Sequence, residues 1–307
     1  MVAEVLDYLR PERGGIFVDG TVGGGGHAEA LLDGGPGVCL VGLDRDASAI
    51  DASRRRLLRF GSRVTLFHAD YRRLKEILAG LGVGAIAGLL LDLGVSSHQL
   101  DNPDRGFSYQ LPGPLDMRMD VRQPMTAAQL VNSASEQELA HIIATFGEER
   151  WARRIASQLV ARRQVAPLES TGDLVEAIKA AIPARARREG PHPARRTFQA
   201  LRIAVNAELS GLDAAIHDAV DVLGSGGRIC ILAFHSLEDR AVKNVFRQRA
   251  GACTCPPGLP VCACGTRADL VILTPRARRP SAGEIEVNPR SRSVRLRAAG
   301  KLPGSSS

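Results

Sequence analysis

Four aspartates, Asp19, Asp44, Asp70 and Asp92, close or directly follow short apolar runs in "IFVD", "LVGLD", "LFHAD" and "LLLD". Between the first two lies "GTVGGGGHAEALL", with glycines at positions 23–26 and His27 behind them. One aspartate after an apolar run is commonly a helix N-cap. Four in step, with a glycine loop between the first two, describe a row of carboxylates along the carboxyl edge of a sheet, where ligands of open α/β folds bind. The glycines admit positive φ and close approach of a ligand to the backbone.

Three ligands commonly use such a loop. A triphosphate site closes on Gly-Lys-Ser/Thr, and His27 and Ala28 stand there instead. A nicotinamide or flavin dinucleotide needs G-x-G-x-x-G/A, which Gly23, Gly25 and Ala28 satisfy. Asp19 would then face the pyrophosphate, which is unfavourable without an intervening cation. S-adenosylmethionine has no phosphate and carries a positive ammonium and sulfonium. On that reading Asp44 serves the ribose hydroxyls, Asp70 and Tyr71 neighbour the adenine, and Asp92 stands beside the methyl group.

The elements that must position these residues follow from periodicity. Residues 16–19, 38–43, 64–67 and 86–91 form strand candidates, and 27–33, 46–60 and 71–81 space their apolar residues at helical period. Such alternation predicts a parallel, doubly wound sheet. Residues 102–114 are a Pro/Gly-punctuated loop, and 126–181 are mostly helical, with a capping box at Ser135 and Glu138. An irregular basic linker spans 182–196, followed by one helix over 197–223, a turn and fifth strand over 224–234 and a helix over 235–248. Residues 269–274 and 293–299 are further strand candidates, and the final "GSSS" reads as unstructured. The expected domains are 1–108 with 204–307 for the α/β part and 109–203 for an inserted helical part that recognises substrate.

The chain has 307 residues, 44% hydrophobic and 24% charged, an ordinary globular composition. No apolar run reaches the roughly 18 residues of a membrane span, and no export signal opens the chain, so the expected location is cytoplasmic. Net charge is +7 with a pI near 9.4. Eight Lys/Arg after Leu273 (Arg276, Arg278, Arg279, Arg290, Arg292, Arg295, Arg297 and Lys301) oppose Glu284 and Glu286, giving that tail +6. Residues 185–202 hold six arginines and one glutamate. Clustered arginine suits a polyanion through counterion release; a solvated surface is the alternative.

Cys39 and Cys230 fall in strand candidates and read as small core residues. Cys253, Cys255, Cys262 and Cys264 form "CTCPPGLPVCAC". Their C-x-C spacing fits a tetrahedral zinc less well than C-x₂-C, so a hairpin with free thiols is preferred and no metal is assigned.

Six segments, "VDGTVGGGGH", "LDRD", "LLLDLGVSSHQLDNPDRGFSYQLPGPLDMRMD", "FQALRIAVNAEL", "AFHSLEDR" and "RPSAGEIEVNPRSRSVRLRAA", appear in one order across nearly the whole chain. Together they resemble the ribosomal RNA small subunit methyltransferase H family (MraW type). The resemblance implies an α/β fold with a Rossmann-like class I methyltransferase sheet of seven strands and an inserted helical domain. It implies S-adenosylmethionine-dependent methylation of the exocyclic N4 of a decoding-site cytidine (position 1402 by the resemblance) of 16S ribosomal RNA, within the small subunit or its precursor. By motif position the cofactor contacts are Gly25, Gly26, His27, Asp44, Tyr71, Asp92 and Gln99. The family usually has an "H-x-P-V" segment before its first helix, whereas this chain starts inside that helix; a late start or a truncation would remove part of a pocket lid.

Methyl transfer to an amine needs nucleophile, methyl carbon and sulfur in line, a task of positioning. Asp92 and His235, both leaving the ligand edge of the sheet, are the candidate catalytic residues. The fourth strand continues "DLGVSS" rather than the Asp/Asn-Pro-Pro-aromatic of many amine methyltransferases. Ser236 and Asp239 could instead simply start the next helix. Asp116, Arg118 and Asp120 could clamp substrate or form an ion-paired corner, and Asn206 and Glu208 could be site, surface or cap. Phe107 or Tyr109 could offer a stacking face to a flipped base or pack inside. Two further functions remain: a nicotinamide-dependent oxidoreductase, disfavoured by Asp19, and a non-catalytic RNA-binding ribosome-assembly factor, disfavoured by the intact acidic ladder. Monomer and weak homodimer both remain open.

Overall fold

The computed structural model of the chain describes residues 1–188, 190–253, 255 and 266–304. The chain divides into two compact units, Met1–Gly94 with Leu209–Ser307, and Val95–Glu208.

The first unit is built on seven strands, β1 (Gly15–Asp19), β2 (Val38–Asp44), β3 (Val64–His68), β4 (Ile86–Asp92), β5 (Leu223–Ala233), β6 (Leu270–Ile272) and β7 (Arg295–Lys301). They lie in the order β3-β2-β1-β4-β5-β7-β6. The first five are parallel, and β7 runs antiparallel to both β5 and β6. This is the seven-stranded class I methyltransferase sheet that the sequence resemblance implies. Strand order reverses between β1 and β4, so the carboxyl ends of those two strands open the crevice where such folds bind ligands.

The central strand β4 reads as an almost unbroken apolar run because both of its faces are covered. Leu89 and Leu91 of β4 join Val18, Ile229, Ile231, Ile216 and Phe246 on one face. Leu90 points oppositely, into a core with Phe17, Leu31, Leu40, Cys230 and Leu296. This two-residue alternation fixes the outward rotation of every strand end, and with it the position of each terminal aspartate.

The second unit is helical. Its main helices are Ala127–Ser133, Glu136–Gly147, Ala152–Val165, Thr171–Ala181 and Arg195–Asn206, around Leu139, Ile143, Ile155, Leu159, Ile178 and Leu201. The capping box at Ser135 and Glu138 forms, and Thr126 with Gln129 and Ser170 with Asp173 make two more.

Several local expectations need correction. Cys39 is exposed rather than a core residue, while Cys230 is fully buried. The single helix expected over 197–223 is two, Arg195–Asn206 and Leu212–Asp221. The first ends where Ala207 turns left-handed, with φ 48°. There Asn206 is tied across its own unit, donating to the Met117 carbonyl at 2.7 Å and accepting from Met119 N–H at 2.7 Å. The basic linker contains a short helix, Ala184–Arg188. A 3-10 turn, Tyr71–Arg73, precedes the helix Leu74–Gly80. Cys253 is exposed and Cys255 half-buried, whereas Cys262 and Cys264 lie outside the described residues.

Candidate active site

At the end of β1, Asp19 is almost fully buried, 1% exposed. Its carboxylate accepts the Thr21 N–H at 3.1 Å. Burial, reinforced by the carboxylates of Asp92 and Asp44, pushes the Asp19 pKa up to about 8. A carboxyl group buried without a counter-charge is expensive, so a cation approaching from the crevice would find it a strong partner.

β2 delivers Asp44 to the glycine loop. The Asp44 carboxylate accepts Gly23 N–H and Asp46 N–H, each at 2.9 Å, leaving lone pairs for further donors. Gly23 and Gly25 have φ of 52° and 80°, which disfavours any side chain there. A Cβ added at Gly24 would meet nothing within 4 Å. The loop is thus glycine for backbone conformation at two positions and lies beside open space at a third. Ser53 fixes it from behind, its hydroxyl donating to the Gly23 carbonyl at 2.6 Å, and Arg56 donates to the Gly24 carbonyl at 3.2 Å. Helix Gly26–Asp33 begins at once, so its positive N-terminal end borders the same space.

After β3, Asp70 caps the Tyr71–Arg73 turn. Burial alone would raise its carboxyl, but the two-pronged Arg72 contact, at 2.9 and 2.6 Å, holds it below the usual range. Asp70 is therefore already paired within the protein. Tyr71 packs beside Val18, Gly20, Leu74, Leu89 and Leu91, and burial raises its phenol pKa.

β4 ends at Asp92. Its backbone N–H donates to the Thr21 hydroxyl oxygen at 2.6 Å, and its Oδ2 lies 3.6 Å from His27 Nδ1. Asp92 Oδ1 and His27 Nε2 are buried and lack hydrogen-bond partners. Burial raises the Asp92 carboxyl pKa against the opposing pull of His27, and burial lowers the His27 imidazole pKa. Two polar atoms of a strand end and a helix start thus stand unsatisfied beside an open glycine loop, which is how a ligand-ready site differs from a finished core.

Asp19, Asp44, Asp92 and His27 are brought together, and Tyr71 joins the same sheet edge. Gln99 belongs to the helical unit, where it is buried and its side-chain oxygen accepts Ser96 N–H at 3.0 Å. His235 leaves β5 as the cap of helix Ser236–Arg249, its Nδ1 accepting Glu238 N–H at 3.3 Å. Its Nε2 lies 3.2 Å from Glu238 Oε1 but is not aligned for a hydrogen bond. The cap is therefore His235, not Ser236, and Asp239 instead pairs with Arg295 and Arg297.

Asp116 and Arg118 form the ion-paired corner, and Asp120 pairs with Arg122. Glu208 pairs with Arg202 at 2.8 Å. Phe107 packs in the helical core, and Tyr109 is stacked on His192 at 4.7 Å and meets Phe198 edge-on. The tail is less free than its charge count suggested. Arg295 and Arg297 face Asp239, Lys301 is buried against Asp269, and Arg278 donates to the Tyr8 hydroxyl. Thr21 and Ser53 are the site residues that sequence reasoning missed. Thr21 lies in the stretch that drew attention to the loop, whereas Ser53 sits mid-helix with no local signal.

Among the described residues no helix is long and apolar enough to cross a membrane. The chain matches the MraW methylase family over residues 1–302. It is 51% identical over 305 residues to the ribosomal RNA small subunit methyltransferase H of Heliobacterium modesticaldum, spanning 98% of this chain and 97% of that protein. The protein of the same name from Symbiobacterium thermophilum is 52% identical over 303 residues, at 98% and 95% coverage. That from Geobacter sulfurreducens is 53% identical over 305 residues, at 98% and 97%. With the sheet order, the acidic strand ends and a match running almost end to end, the chain belongs to the MraW methylase family.

Proposed function

We propose that this chain is an S-adenosylmethionine-dependent methyltransferase that methylates N4 of a decoding-site cytidine in 16S ribosomal RNA. The observation that carries the reading is the pairing of His27 with Asp92 beside the glycine loop, each with a buried polar atom awaiting a partner. The relatives' shared name supplies the substrate class.

The residues fit the cofactor. Asp44 keeps acceptor capacity for the ribose diol, and Tyr71 offers a flat apolar wall to the adenine. Asp19 and the start of helix Gly26–Asp33 suit the zwitterionic methionine end, carboxylate toward the helix and ammonium toward Asp19. Gly25, Gly26 and His27 line the loop, and Gln99 is assigned by motif position. The chemistry that bound S-adenosylmethionine supplies is an electrophilic methyl group on a cationic sulfur.

The chain's own task is to present the amine. The cytosine N4 lone pair is delocalised into the ring, and a carboxylate accepting its N–H raises its nucleophilicity. Asp92 Oδ1 is the acceptor we assign, and the same carboxylate or water takes the proton that the methylated nitrogen releases. His235 holds the β5 end in place through its cap. The arginines at 195 and 196 are assigned to RNA phosphates.

The test is a map of N4-methylated cytidines in small-subunit RNA from cells with and without this gene. One decoding-site cytidine should lose its methyl group in the deletion and regain it on complementation. An unchanged methylation map would overturn the reading. Calorimetric titration with S-adenosylmethionine and with NADH separates it from the oxidoreductase alternative.

A further inference from the structure

Within the helical unit, three chain segments meet at one corner. Helix Glu136–Gly147 ends at Glu148, whose φ of 47° turns the chain sharply. Helix Ala152–Val165 starts four residues later, with Trp151 at the position just before its first turn. Helix Arg195–Asn206 docks its first turn here. Arg196 donates to the Glu148 carbonyl at 2.9 Å, and Gln199 donates to the Phe146 carbonyl at 3.0 Å. A Cβ on Gly147 would come within 2.7 Å of the Arg196 carbonyl oxygen, so the two backbones touch.

The corner is basic and carries an aromatic ring. Arg150, Arg153, Arg154, Arg195 and Arg196 are all exposed. None of the five pairs with a carboxylate among the described residues, in contrast to Arg118, Arg122 and Arg202 of the same unit. Ala152, Ile155 and Ala156 face the core, so helical spacing turns Arg153 and Arg154 outward. The half-buried Trp151 ring has the guanidinium carbons of Arg150 and Arg154 at 5.1 and 5.5 Å from its centre. Five arginines against Glu148 and Glu149, around an indole, match the charge of a phosphate backbone and the flat faces of unpaired bases.

We propose that the corner formed by Arg150, Trp151, Arg153 and Arg154 with Arg195 and Arg196 is a docking surface for an RNA strand. The proposal rests on the RNA methyltransferase reading and adds residues 150–154, which no motif in the sequence singled out. The arginines hold phosphates, and Trp151 reports on, and stacks with, a base of the flanking strand.

Trp151 is the only tryptophan of the chain, so the wild-type protein carries its own probe. A hairpin RNA containing the decoding-site cytidine is titrated while tryptophan emission and methyl transfer are followed in the same samples. Emission should shift or quench as RNA binds and recover as salt is raised, with no response to S-adenosylmethionine alone. Replacing Arg150, Arg153 and Arg154 together by Gln should weaken RNA binding about tenfold or more and lower the log–log salt slope by roughly two, at about 0.7–0.9 per phosphate contact. Cofactor affinity should not change. RNA binding and methylation that leave Trp151 emission untouched, or a triple variant with the wild-type slope, would overturn the surface while leaving the enzymatic reading intact. No methyl transfer and no RNA binding by the wild type would overturn the enzymatic reading itself. A triple variant that fails to fold leaves the wild-type emission to decide.

Discussion

Thr21 accepts the Asp92 backbone N–H on its hydroxyl oxygen at 2.6 Å, while its own N–H reaches Asp19 at 3.1 Å. One threonine thus ties the ends of β1 and β4 together at the point where strand order reverses. Thr21→Val keeps the shape and removes the acceptor, leaving a strand-end N–H without its partner. The expected cost is about 1–3 kcal/mol of stability, with weaker cofactor binding because Asp92 loses its anchor. Thr21→Ser should restore both. Urea denaturation and cofactor titration of the two variants check this, and a Val variant indistinguishable from wild type would remove Thr21 from the site.

Asp19 makes the unliganded protein sensitive to pH. Its folded pKa, about 8, lies above the ordinary aspartate value of 3.8, so the folded state keeps a proton that the unfolded state releases. The unfolded chain therefore binds fewer protons between these values, and stability falls as pH rises from about 4 to about 8, by at most about 1.4 kcal/mol per pH unit. Asp19→Asn should lack that slope. Since an ammonium beside Asp19 favours its ionised form, cofactor binding at pH 7 should release protons and tighten toward pH 8. Calorimetry in buffers of different ionisation enthalpy counts the protons; equal counts for wild type and Asp19→Asn would sink the assignment.

The carboxylate ladder was legible because β1, β2 and β4 are apolar runs that stop at their aspartates, as "LLLD" does at Asp92, while Asp70 follows the end of β3 by two residues. Other features depend on partners distant in sequence. Arg295 and Arg297 looked like RNA-binding charge, but β7 alternation puts both on one side, where Asp239 waits on the helix after β5. The break after Asn206 leaves no trace in helical periodicity, because Ala207 adopts φ 48° without being glycine. Cys39 lies in an apolar strand yet remains exposed, since burial depends on which helix covers that position. The Asp92–His27 contact joins residues 65 positions apart through the sheet order, which sequence alone could only suggest.

Asp44 positions the loop as well as the ligand. Its two backbone contacts mean that Asp44→Ala should loosen residues 23–26 in addition to removing the ribose acceptor. Cofactor affinity should drop by about 1.5–3 kcal/mol, the range of charge-assisted hydrogen bonds. Asp44→Asn keeps one side-chain acceptor and should fall between the two. Unchanged affinity in a folded Ala variant would exclude the ribose role.

Asp92 decides whether the strand end is only a binding wall or takes part in the reaction. If it merely supports the adenosyl group, Asp92→Asn should raise the cofactor dissociation constant and leave turnover at saturation near normal. Its Oδ1, buried and unpartnered, instead argues for an acceptor that engages the cytosine amine. That hydrogen bond should strengthen as the nitrogen rehybridises, and asparagine is a weaker acceptor of the same shape. Turnover with both substrates saturating should then fall roughly 10²-fold or more, as for other hydrogen bonds directed at a transition state. Single-turnover methyl transfer to small-subunit RNA measures it. A rate within about threefold of wild type would leave Asp92 a binding residue and return the proton-accepting step to water.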